Sequence, residues 1–103
     1  MAYGSALAVL ADPTRRSVFE RLREGPRPVH AIAAGLPVSR PAVSQHLKVL
    51  KDAGLVEERS EGARRIYSMR HEGLMELRDW LDSFWSASFE AFRIEVEKPR
   101  SGT

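Results

Sequence analysis

The residues best suited to chemistry lie between Ser39 and Lys51 of this 103-residue chain. Val43, Leu47 and Leu50 recur at i, i+4 and i+7, the spacing of one helical face. If that face points inward, Arg40, Pro41, Ser44, Gln45 and Lys48 must point outward. Arg40 can pair with a guanine edge or a phosphate, Gln45 can bridge an adenine edge, and Ser44 suits several bases. Ser39 and the helix N-terminus can hold a phosphate, while Lys48 and Lys51 add charge. Arg59, Arg64 and Arg65 gather just downstream around a turn, where a protruding hairpin can reach a neighbouring backbone or minor groove. Plainer explanations compete with this one. Every amphipathic helix has a solvated side, and Glu57, Glu58 and Glu61 make the same hairpin an ordinary mixed-charge surface.

Such residues need a scaffold to aim them, and the chain supplies its punctuation. Residues 6–11 read as a short apolar helix. Asp12 suits an N-cap with Pro13 at the first helical position, where a missing N–H costs little. Val18, Phe19 and Leu22 continue that second helix until Gly25 and Pro26 stop it. Residues 28–34 form a further short helix closed by Gly35. Ser39 then caps the helix carrying Arg40 and Gln45, which Gly54 ends. Residues 55–59 and 64–69 are strand candidates on either side of a turn over residues 60–63. From His71 to about Glu97 one helical stretch runs without proline. The expected architecture is mainly α with a small β-hairpin, in which a helix-turn-helix is followed by a wing and a long last helix. One domain is expected over residues 1–97, with a flexible tail at residues 98–103.

Charge is distributed unevenly. The net charge is +2, but residues 1–70 carry +5 and residues 71–103 carry −3. A basic body suits a polyanion, and the acidic segment must meet something else. No apolar run is long enough to cross a bilayer, and the N-terminal charges follow the apolar stretch, the reverse of a secretory signal. With no cysteine there is no disulfide, thiolate ligand, thiol switch or cysteine nucleophile. These features point to a cytoplasmic protein. No paired carboxylates, nucleophile elbow or phosphate-cradling glycine loop supports an enzyme.

The last helix carries its own message. Leu74, Leu77, Leu81, Phe84 and Trp85 form an apolar stripe that Trp80, Phe89, Phe92 and Val96 widen. So small a domain cannot cover all of it, and a second copy of the chain is the usual partner. A wide intramolecular packing face is the alternative.

Taken together, Leu10-Ala11-Asp12-Pro13-Thr14-Arg15-Arg16, Ser39-Arg40-Pro41-Ala42-Val43-Ser44-Gln45-His46-Leu47-Lys48-Val49-Leu50 and Ala53-Gly54-Leu55-Val56 resemble the arsenic-repressor-type (ArsR) winged helix-turn-helix regulators. The Gly62, Arg65-Ile66-Tyr67 segment is similar to their wing. The resemblance spans residues 6–85 and implies a dimeric repressor that leaves its double-stranded DNA operator when a signal arrives. It also implies a dimer interface built from the first and last helices, here through Leu7, Leu10, Leu77, Trp80, Leu81, Phe84, Trp85, Phe89 and Phe92. His46 falls in the family's recurring Ser-x-His-Leu run, as a structural or phosphate-contacting residue.

The family's metal-sensing positions are altered. Where many members carry Cys-x-Cys this chain has Pro28 and His30, and where others carry Asp-x-His it reads Asp79-Trp80-Leu81. A zinc site needs three or four converging donors, and His30, His46 and His71 are scattered. No metal or cofactor is expected, and the inducer is unknown. A winged-helix module that only dimerises, without binding DNA, is the competing reading.

Overall fold

The structure is a computed structural model that describes residues 2–97; the tail expected at residues 98–103 lies outside them. Among the described residues, five helices and three strands run in the order α1 (Ala2–Ala11), α2 (Pro13–Glu20), β1 (Arg27–Pro28), α3 (Val29–Ala33), α4 (Arg40–Asp52), β2 (Val56–Glu61), β3 (Arg64–Met69) and α5 (His71–Glu97).

Side-chain caps set the joints between the first elements. The Asp12 carboxylate accepts the Arg15 N–H at 3.0 Å, and Pro13 opens α2 as its position requires. Arg15 and Arg16 then turn back and donate to the Val9 and Leu10 carbonyls at the end of α1. Arg21 does the same for α3, donating to the carbonyls of Ala31, Ile32 and Ala34. Each cation therefore satisfies helix-end carbonyls that have no intrahelical partner.

Several boundaries differ from the sequence reading, and α1 already starts at Ala2 rather than at the expected residue 6. α2 stops at Glu20, and the chain reaches Gly25 through i→i+3 turns that still bury Leu22. Arg27 and Pro28 open no helix; they form β1, antiparallel to β3 with Arg27 opposite Tyr67 and Pro28 opposite Ile66. A residue before proline favours extended backbone, and an edge strand tolerates a proline's missing donor. The sheet therefore has three strands, in the order β1-β3-β2. The wing turn is tighter than expected, with only Gly62 and Ala63 between the strands. Gly62 has φ 63°, and among the described residues no non-glycine has positive φ, so the turn follows the II′ pattern with glycine first.

The core lies between α2, α3, α4 and the base of the wing. Val18, Leu22, Ile32, Val43, Leu47, Leu50, Leu55 and Val56 are essentially sealed from solvent. The first part of α5 joins this body through Leu77, with Leu74 and Trp80 packed beside it. Beyond Trp80 the helix leaves the body, and residues 81–96 are exposed on every side. The described residues span 73 Å along the longest axis but only 26 and 24 Å across it.

Candidate nucleic-acid interface

The second helix of the helix-turn-helix is held from both ends. At its start, the Ala42 N–H donates to Ser39 Oγ at 3.2 Å. The Ser39 hydroxyl hydrogen is left to donate elsewhere. At its end Ala53 closes α4 and Gly54, with φ 80°, turns the chain toward β2. Between these ends Val43, Leu47 and Leu50 have no accessible surface. Arg40, Pro41, Ser44, Gln45 and Lys48 are all exposed, as their spacing requires. This outward row is continuous along one side of α4 and rigid underneath.

His46 sits off that row. It is half-buried and close enough to α2 for its charge to act on Asp12. The Arg15 N–H holds the Asp12 carboxyl below its ordinary range, and the charges of Arg15 and His46 work in the same direction. This places His46 at the junction of α4 with the cap of α2.

The wing arginines divide between two faces. Residues alternate along a strand, and the register sets Ser60 opposite Arg65 and Glu61 opposite Arg64. Arg65 thus shares a face with Glu58, while Arg59 and Arg64 lie on the other. The expected cluster of three arginines is therefore two groups, because Arg64 and Arg65 are consecutive in one strand.

The face shared with α4 holds a group the sequence did not reveal. Glu58 accepts from Lys51 Nζ at 2.7 Å and from Arg65 Nη1 at 2.9 Å. Its side chain is only 18% exposed. The Lys51 hydrogen bond is the main reason the Glu58 carboxyl lies below its ordinary value and the Lys51 ammonium above its own. Read as sequence, Glu57 and Glu58 are an adjacent pair pointing to opposite faces. Only the β2–β3 register and the approach of α4 give Glu58 two cations. Lys48 is also paired, with Asp52 at 3.4 Å, and Arg59 with Glu61 at 3.1 Å. Among the described residues, Arg40 and Arg64 form no ion pair, leaving them as open cations at the two ends of the surface.

On the last helix the expected interface residues also divide. Leu77 is 9% exposed and belongs to the chain's own core, and Leu10 and Trp80 pack against that core. Leu77, expected in the dimer interface, lies on the turn of α5 that faces the chain's own body. Leu7, Leu81, Phe84, Trp85, Phe89 and Phe92 remain exposed, Trp85 and Phe92 at 65%. Trp80 meets Phe84 edge to face at 4.9 Å, and Trp85 meets Phe89 at 5.5 Å. Among the described residues no group of three or more His, Cys, Asp or Glu could hold a metal ion, and no helix is long and apolar enough to cross a membrane.

This arrangement has close parallels. A helix-turn-helix domain family matches residues 10–59. The chain is 53% identical over 98 residues to the HTH-type transcriptional regulator Rv2034 of Mycobacterium tuberculosis, covering 95% of this chain and 92% of that one. Among solved structures it is similar to a possible transcriptional regulator for arsenical resistance, with 41% identity, a TM-score of 0.72, and coverage of 93% of this chain and 98% of that one. It also resembles the homodimeric winged helix-turn-helix DNA-binding domain of a possible ArsR-family regulator from Mycobacterium bovis, at 26% identity and a TM-score of 0.66, covering 96% of this chain and 87% of that one. The capped helix with its polar outward row, the wing beside it and these relatives together make the chain a member of the ArsR family of winged helix-turn-helix transcriptional regulators.

Proposed function

We propose that the chain is a homodimeric, sequence-specific repressor, with residues 1–97 acting as one DNA-binding and dimerising unit. The observation that carries this reading is the outward row on α4. Arg40, Pro41, Ser44, Gln45 and Lys48 are exposed on a helix whose other side is sealed. In this reading Arg40 and Gln45 meet base edges, Ser44 adapts between them, and Ser39 donates its free hydroxyl hydrogen to a phosphate. Arg64 and Arg59 on the wing follow the adjacent backbone.

Two such helices must be spaced about one turn of the duplex apart to read two half-sites. The stripe on α5 supports the dimer that would do this. Leu74 and Leu77 begin it inside the body, and Leu81, Phe84, Trp85, Phe89 and Phe92 continue it for roughly 17 Å of bare helix. A second copy of the stripe would cover these aromatics, with Leu7 of α1 at its margin. The release signal would act without thiol chemistry, since the chain has no cysteine.

The test is a fluorescence-anisotropy titration of the purified protein with fragments selected from a genomic library, at two salt concentrations. The expected result is tight binding that weakens steeply with salt and favours some fragments over random duplex. Absence of binding at low salt would leave a dimerising module without DNA recognition. A preferred fragment from the protein's own promoter would establish autoregulation.

A further inference from the structure

We propose that Glu58 sets the protein's discrimination between its operator and random DNA, by holding Lys51 and Arg65 in an internal ion pair at the seam between α4 and the wing. The proposal rests on the DNA-binding reading above and adds a role for a residue that would not itself touch DNA.

Affinity for DNA has two parts with opposite effects on specificity. Phosphate contacts attract every sequence equally, whereas base contacts distinguish one from another. A regulator with many free cations beside its reading helix would spend its time on random duplex. Here the carboxylate of Glu58 lies 2.7 Å from Lys51 and 2.9 Å from Arg65, so the three groups together carry one net positive charge instead of two.

Other cations of this surface are paired too, but differently. The Lys48–Asp52 and Arg59–Glu61 pairs are exposed on both sides. Exposed pairs are weak, and a phosphate can take over the cation at little cost. Glu58 is largely shielded, with its side chain 18% exposed and its backbone anchored in β2 opposite Tyr67. If a phosphate drew both cations away, this carboxylate would be left poorly solvated and unpaired, which is costly. Lys51 and Arg65 are therefore withheld from sequence-blind attraction, and Arg40 and Arg64 remain the open cations.

Glu58→Gln tests this directly, because it removes the charge while keeping the shape and one acceptor. Affinity would be measured for a short duplex of random sequence and for the selected genomic fragment, across a salt series. For the variant, the plot of log affinity against log salt on random duplex should steepen by about 0.9 for each cation released. If both are released, the affinity lost between about 50 and 200 mM salt grows by roughly tenfold over the parent's loss. The preference for the selected fragment should fall. Adding Lys51→Met and Arg65→Met to Glu58→Gln should return the slope to the parent's, which a purely structural role for Glu58 would not produce.

A slope and a preference both unchanged in folded Glu58→Gln would overturn the proposal. If Glu58→Gln does not fold, Lys51→Met and Arg65→Met in the parent decide instead. The proposal requires each to leave the slope nearly unchanged, and a fall of about 0.9 in either would overturn it. Failure of the parent itself to bind any duplex would instead remove the repressor reading.

Discussion

The first turn of α5 rests directly on the turn that follows α4, through Gly73 and Gly54. A Cβ placed on Gly73 would fall inside contact distance of the Gly54 carbonyl oxygen and 3.0 Å from its carbonyl carbon. Gly73 is buried, and the Arg70 N–H donates to the Leu55 carbonyl at 2.9 Å just beside it. The first turn of α5 thus meets, backbone to backbone, the turn that carries the chain from α4 into β2.

Gly73→Ala gives opposite expectations from two principles, and the structure decides between them. Within an exposed helix the change would stabilise by up to about 1 kcal/mol. Here the added methyl meets backbone that cannot swing aside, so a net loss of about 1–3 kcal/mol is expected. Urea unfolding measures it, and an unchanged or raised midpoint would refute the close approach.

Arg40→Ala and Gln45→Ala should each cost about 1–3 kcal/mol on the selected fragment and relax preference at particular bases. Arg64→Ala, a phosphate contact in this reading, should weaken all duplexes alike and make the salt slope shallower by about 1. If Arg40→Ala and Arg64→Ala gave the same profile, the base-reading role of Arg40 would be wrong.

Trp85→Asp and Phe84→Asp should shift the protein from dimer to monomer, since each puts a carboxylate into the surface that a second copy would dry out. Both residues are more than half exposed in the single chain, at 65% and 56%, so the chain's own core should survive the change. Light scattering reports the mass and circular dichroism the fold. A dimer mass retained by both variants would place the interface elsewhere.

The Glu58 seam should also show in acid. Its pairing with Lys51 lowers the Glu58 carboxyl below its ordinary 4.5, so its contribution to stability is present above that value. It is lost as pH falls through the lowered value, when the carboxylate protonates and both cations lose their partner. Lys51 behaves in the opposite sense: raised above 10.5, its contribution is complete below that pH and lost only in stronger alkali. Near neutral pH the parent should melt above Glu58→Gln, and the gap should close on acidification below about 4.5. A gap independent of pH would show that packing, and not charge, is what the substitution disturbs.

Local chemistry made much of this protein readable from its residues alone. Asp12, Pro13, Ser39 and Gly54 mark helix ends through groups that bond to, or bend, their own backbone, so no distant partner is needed to recognise them. The outward row on α4 follows from the spacing of Val43, Leu47 and Leu50, since a helix repeats every 3.6 residues wherever it sits. The start of α5 at His71 and its unbroken run as far as Glu97 were equally legible because nothing in that stretch breaks a helix.

Contacts between segments far apart in sequence were settled only in three dimensions. β1 exists because β3 offers Arg27 and Pro28 the partners Tyr67 and Ile66, a pairing that two residues ending in proline would not announce. Leu77 and Leu81 look alike as letters on one stripe, yet the body ends between them, so one is core and the other bare. Glu58 acquires its two cations from strand register and from the angle of α4. Periodicity is a property of a segment by itself, whereas pairing depends on where another segment lies.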